Sequence, residues 1–266
     1  ADCCIARDCP HLQGSGEARY ADWFAEVCER TARLVAGWMR IGFVHGVLNT
    51  DNMSILGLAI DYGPYGWIDA YDPDWTPNTT DATGRRYRFG WQPRVANWNL
   101  GQLARALAPL FTDAAPLQAG LDRFGAAFAA ADRDDTARKL GLAECGDADV
   151  ALLRDLHGLL HAHEVDMTLW FRALADIDPR APSLAPLEHA FYDAGKRTAG
   201  EAGLNDWLAR YAARVREDAL SVDGRRARMH AANPKFGLRN WLAQEAIERA
   251  HAGDMAGIGE LLAVMR

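Results

Sequence analysis

Residues His45-Gly46-Val47-Leu48-Asn49-Thr50-Asp51-Asn52, followed after an apolar run by Asp61-Tyr62-Gly63, are the stretch around which the chain is organised. The run between them, Met53 to Ile60, reads Met-Ser-Ile-Leu-Gly-Leu-Ala-Ile. It is too short for a stable helix and long enough for a strand or a tight hairpin. A short buried element of that kind delivers the Asn52 amide and the Asp61 carboxylate to one place from its two ends. Both are hard oxygen donors, suited to an Mg²⁺ or Mn²⁺ ion that also carries substrate phosphates. The stretch therefore reads as a metal and nucleotide site.

Its order resembles the catalytic loop of protein kinases. In those enzymes a His-Arg-Asp segment supplies the base, an Asn five residues after that Asp binds metal, and the Asp of Asp-Phe-Gly binds metal again. Here His45, Asn52 and Asp61 stand in the His, Asn and metal-binding Asp positions, and Val47 stands where the base would be. Valine accepts no proton, so ordinary kinase chemistry through that position is excluded. Either the site is degenerate or another base serves, and Asp51, beside the metal-binding Asn, is the obvious substitute.

With Pro64-Tyr65-Gly66, Trp91-Gln92-Pro93 and Trp98-Asn99-Leu100 added, the chain resembles the selenoprotein O family, most specifically over residues 41–112 and more loosely beyond. The resemblance implies a pseudokinase-fold enzyme that transfers AMP from ATP to Ser, Thr or Tyr hydroxyls of proteins. It makes Asp51 the proton acceptor, and it makes Asn52 and Asp61 the holders of Mg²⁺ or Mn²⁺, through which Asp61 also meets the nucleotide. The fold it implies is mainly α: a kinase-like C-lobe over residues 1–112, with a short β element at the catalytic loop, and a helical extension over residues 113–266 packed on it. Two other functions stay open, a catalytically dead helical scaffold that binds a protein partner, and a uridylyltransferase that uses UTP with Mn²⁺. The family's ATP-binding lobe is expected before the catalytic loop, yet 44 residues precede His45 and none supplies a Gly-rich loop with a phosphate-contacting Lys. The family's C-terminal Cys or selenocysteine is likewise missing at Val264-Met265-Arg266. The expectation is a C-terminal fragment, trimmed at both ends and inactive by itself.

Composition narrows the field. Of 266 residues, 49% are hydrophobic, enough for a sizeable core. A net charge of −7 and a pI of about 5.6 argue against a nucleic-acid or anionic-membrane partner, because both want a basic face. No apolar run approaches the ~18 residues needed to cross a bilayer. The cysteines, Cys3, Cys4, Cys9, Cys28 and Cys145, have poor zinc spacing and read as the reduced thiols of a cytoplasmic protein.

Elsewhere the periodicity is helical. Trp23, Phe24, Val27, Thr31, Leu34, Val35, Trp38 and Met39 predict an amphipathic helix from Tyr20 to Arg40 that stops at Gly42. Residues 64–97 predict a long loop, with Asp69, Asp72, Asp74 and Asp81 on a solvated face and Arg85, Arg86 and Arg88 ready for a phosphate or for those acids. Asn97 is the expected N-cap of a helix to Phe111, with Trp98, Leu103, Leu107 and Phe111 inward. After Pro116 helices are expected almost to the end, broken near Gly141, Pro179 to Pro186, Gly200 to Gly203, Asn233-Pro234 and Gly253, with Trp241, Leu242, Ile247, Ile258, Leu261 and Leu262 among the apolar positions of the last of them. His157, His161, His163 and Glu164 suggest a metal only superficially, since no Glu lies between His157 and His161 and Leu156 and Leu160 flank them. Arg225, Arg226 and Arg228 read as a solvated face near a turn at Asp223-Gly224.

Overall fold

The computed structural model describes residues 1–265. It is mainly helical, with ten α-helices among the described residues and one two-stranded ribbon. The chain divides into two compact units, one made of Ala1–Met39, His45–Tyr65 and Thr76–Asp132, the other of Arg40–Val44, Gly66–Trp75 and the chain from Arg133 onward. No described helix is long and apolar enough to cross a membrane.

The first unit is built on α2 (Gly16–Ile41), which follows the short α1 (Asp2–Asp8). Apolar residues three and four apart put Trp23, Phe24, Val27, Thr31, Val35 and Trp38 on one buried face, as the periodicity predicts. The helix stops before Gly42, whose φ of +76° suits a residue without a side chain. The next helix, α3 (Gln92–Leu107), begins five residues before the expected cap at Asn97. Pro93 lies in its first turn, where a missing N–H costs nothing, and that outweighs the weaker cap signal. The register shifts with it: Val95, Ala96, Asn99, Leu100, Ala104 and Leu107 face inward, and Trp98 is 49% exposed, against expectation. Helix α4 (Ala115–Leu140) follows; Gly120 lies close against the Phe24 ring, which leaves no room for a Cβ.

In the second unit β1 (Phe43–Val44) pairs antiparallel with β2 (Gly66–Trp67), Phe43 opposite Trp67. The helices are α5 (Asp147–Ala162), α6 (Met167–Leu174), α7 (Ala194–Arg216), α8 (Val222–Ala232), α9 (Asn240–His251) and α10 (Ala256–Val264). Trp170, Trp207 and Tyr211 fill the core. Trp207 stacks on Tyr211 at 5.2 Å and donates to the Leu152 carbonyl at 2.8 Å, so its polar atom is satisfied inside.

Three expectations need correcting here. The break at Gly200 to Gly203 does not occur: both glycines lie inside α7, and Gly200 makes room for the His163 ring, which stands 2.7 Å from where a Cβ would be. Asp223 and Gly224 form the first turn of α8, whose N-cap Ser221 accepts from the Gly224 N–H at 3.1 Å. Arg225 is 3% exposed rather than solvated, and it donates to the carbonyls of Ala175 (3.1 Å) and Ile177 (2.9 Å) and to the Tyr211 hydroxyl (3.2 Å). Helices α9 and α10 leave Trp241, Ile247, Ile258 and Leu262 exposed.

Of the histidine cluster, His157 is packed while His161 is exposed. His157 is stacked on Tyr71 at 4.5 Å, and burial holds its pKa down at about 3. Among the described residues no three His, Cys, Asp or Glu side chains come close enough to hold a metal. None of the five cysteines is in a disulfide.

Candidate active site

The loop starts with a buried histidine. His45 donates its backbone N–H to Gln92 Oε1 at 3.0 Å, and its Nε2 lies 2.8 Å from the Ile60 carbonyl. A carbonyl only accepts, so the ring proton sits on Nε2. Gly46 comes next, at φ +80°, packed so tightly under Pro64 that a Cβ would sit on the Pro64 carbonyl oxygen. The first two residues of the loop thus grip the chain immediately before and shortly after Asp61.

The rest of the loop is held by its backbone groups, which a buried turn must satisfy somewhere. The Gly46 carbonyl accepts from Asn78 Nδ2 at 3.0 Å, and the Leu48 carbonyl accepts from Asn99 Nδ2 at 2.9 Å. Tyr87 donates its hydroxyl to Asn49 Oδ1. Thr50–Asn52 then form one 3₁₀ turn, closed by the Asn52 N–H on the Asn49 carbonyl at 3.1 Å. Gln92 and Asn99 stand in the Trp91-Gln92-Pro93 and Trp98-Asn99-Leu100 segments, where residue type alone assigns them no task. Asn78 and Tyr87 lie in the aperiodic loop, where no pattern marks them.

Met53 to Ala59 is a tight hairpin. Met53 and Ala59 form an antiparallel bridge, and Gly57 at φ +67° turns the chain, its N–H on the Ser54 carbonyl at 3.2 Å. The hairpin is not the buried element expected: Met53, Ile55 and Leu56 are half-buried and Leu58 is 57% exposed, because the run lies along the surface of its unit. Asn52 leaves one end of the bridge and Asp61 follows the other, so both come to the same end of the hairpin.

Asp61 has a positive φ of 58°, a conformation uncommon outside glycine and enriched in Asp and Asn, and such outliers cluster at working sites. Its carbonyl accepts from the Gly63 N–H at 2.9 Å, which fixes the turn through Tyr62. Asp51 and Asp61 are exposed and Asn52 is half-buried. None of the three side chains bonds to another described residue. Two oxygen donors without a partner among the described residues, at one hairpin end, are groups of the kind that suit a hard divalent ion.

The loop acids mostly have local work. Asp69 pairs with Arg239 at 2.8 Å, Asp72 Oδ1 accepts from the Asp74 N–H at 2.8 Å, and Asp81 Oδ2 accepts from the Tyr87 N–H at 2.7 Å.

Comparison with known proteins adds the following. A profile of the family described as protein adenylyltransferase SelO matches residues 1–266. A protein of Xanthomonas axonopodis pv. citri, named protein nucleotidyltransferase YdiU, is 65% identical over 265 residues, covering 100% of this chain and 51% of its own length. Proteins of the same name from Xanthomonas oryzae pv. oryzae (64%) and Xanthomonas campestris pv. campestris (62%) are similar over the same 265 residues, again 100% of this chain and 51% of theirs. The chain spans about half the length of these relatives.

Proposed function

Because this chain belongs to the protein adenylyltransferase SelO family, we propose that it is the catalytic-loop half of an enzyme that transfers AMP from ATP to Ser, Thr or Tyr hydroxyls of proteins. The hairpin carries the reading. Its Met53–Ala59 bridge and the His45 bond to Ile60 favour a shared position for Asn52 and Asp61. Those two side chains would hold Mg²⁺ or Mn²⁺, and the bound ion would neutralise phosphate charge.

Asp51 accepts the proton of the incoming hydroxyl. The new bond joins that oxygen to the α-phosphorus, the bond to the β-phosphate bridging oxygen breaks, and pyrophosphate leaves. A base of this kind contributes on the order of 10²–10⁴-fold. Val47, at the position of the kinase base, leaves Asp51 as the nearest acid on the loop.

In this proposal residues 1–112 are the kinase-like C-lobe core with the catalytic loop, and residues 113–266 are a helical extension. The adenine and triphosphate grip belongs to the half of such a protein that this chain does not span. Residues 1–266 alone are therefore expected not to transfer nucleotide, since two oxygen ligands leave most of the triphosphate charge unpaired. The relatives' name, nucleotidyltransferase, leaves the base of the nucleotide open, so UTP with Mn²⁺ is the second reading.

The test is incorporation of label from α-phosphate-labelled ATP, and in parallel UTP, into protein by the full-length enzyme. Asp61→Ala removes a full negative charge from the ion's surroundings and is expected to abolish transfer. Full transfer by that variant would refute the site, and equal silence of the unsubstituted enzyme with both nucleotides would favour the scaffold reading.

A further inference from the structure

Arginines in this chain mostly sit on carboxylates: Arg123 pairs with Glu29, Arg210 with Asp155 and Arg214 with Asp149. Arg86 and Arg94 do not. Among the described residues neither pairs with a carboxylate, and each lies against an aromatic ring instead. The Arg86 guanidinium is 4.6 Å from the centroid of the Trp98 ring and 5.8 Å from that of Tyr87. Arg94 is 4.8 Å from the Trp91 centroid, and Arg88 covers the same ring at 3.7 Å.

Three facts make this more than a charge run. A guanidinium over an aromatic ring is held by cation–π attraction and, without a carboxylate pair, keeps forked N–H donors to offer. Half the surface of Trp98 is exposed although it projects from a helix with a buried face, so the ring is spent on holding Arg86 rather than on the core. Tyr87, between Arg86 and Arg88, reaches the catalytic loop through its bond to Asn49, two residues from Asp51.

We infer that this arginine and aromatic surface, Arg86 on Trp98 and Arg94 on Trp91 with Arg88, is where the protein substrate docks, through an acidic segment beside the hydroxyl that is modified. The inference rests on the proposed transfer to proteins for the identity of its partner. Planar forks already held in place match carboxylates two-pronged at little further entropic cost. In a chain with net charge −7, two guanidiniums that make no carboxylate pair among the described residues favour an acidic partner there. A nucleic-acid strand would also suit stacked rings and arginines, but the negative balance of the remaining surface opposes it.

The experiment uses the full-length protein without nucleotide, so that failure of transfer chemistry cannot imitate failure of docking. A fluorescein-labelled Glu-Ser repeat peptide, its Gln-Ser counterpart and a short oligothymidylate are titrated by fluorescence anisotropy at low salt. The acidic peptide is expected to bind and the Gln-Ser peptide not. The Arg86→Gln/Arg94→Gln double variant, with its fold checked by circular dichroism, is expected to weaken the acidic peptide by about tenfold. Arg86→Lys/Arg94→Lys, which keeps the charge and loses the fork, is expected to fall between. Equal binding of the two peptides, an undiminished Gln double variant, or tighter binding of oligothymidylate than of the acidic peptide would each overturn the inference.

Discussion

Gly46→Ala tests the clamp that joins the loop start to the segment around Asp61. At φ +80° an alanine is in the left-handed region, which costs about 1–2 kcal/mol. Its Cβ would also overlap the Pro64 carbonyl, with Pro64 C and Pro77 Cγ each 3.1 Å away, so the flexible end of a side chain cannot relieve the clash. Bending the backbone at residues 46 or 64 to make room costs a further ~1–4 kcal/mol. Alanine's smaller freedom in the unfolded chain offsets about 0.4–1 kcal/mol of this. The net loss is about 1–5 kcal/mol, which with a urea slope of about 1–3 kcal/mol/M lowers the midpoint by at least about 0.3 M. Gly101→Ala, in the middle of α3 with nothing within 4 Å of its Cβ, is the control and is expected to be neutral or stabilising by about 0.5–1 kcal/mol. Urea denaturation followed by circular dichroism reads both. A Gly46→Ala midpoint equal to that of the unsubstituted chain would refute the claim that Gly46 and Pro64 are in contact.

Arg225→Met is expected to cost about 3–5 kcal/mol, because it strands the carbonyls of Ala175 and Ile177 inside the protein; a chemical-denaturation shift below about 1 kcal/mol would contradict the buried position. His157 sets an acid limit: its pKa is about 3 when folded, held down first by burial and then by Lys139, and near 6.5 when unfolded. The unfolded chain therefore binds one more proton between those values, and stability is lost as pH is lowered through that window, by about 1.4 kcal/mol per unit. His157→Phe, which can keep the stack on Tyr71, removes that share of the slope, and parallel curves of melting temperature against pH for the two proteins would contradict it.

What could be read in advance follows the range of the forces involved. The face of α2 is set by neighbours in sequence, through apolar spacing, and is legible; the Met53–Ile60 run reads as a strand or a tight hairpin, and its place at the surface is not legible from its apolar composition. The fate of Arg225 is decided by carbonyls about fifty residues away that have no side-chain signature, so it looks like any surface arginine. The start of α3 turned on Pro93 against Asn97, two local signals whose ranking depends on packing. In the site, the oxygen donors were visible as residue types. The side chains that hold the loop, Gln92, Asn78, Asn99 and Tyr87, bond to backbone atoms or to Asn49 across distant stretches, and no spacing rule reaches them.

The division of labour at the loop is tested most directly by Asp51→Ala in the full-length enzyme, with turnover and ATP affinity measured side by side. A base acts in the transition state and adds little to ground-state binding. The expected result is turnover reduced on the order of 10²–10⁴-fold with ATP affinity nearly unchanged. If ATP affinity falls in step with turnover, Asp51 is a ligand or a structural residue and not the base.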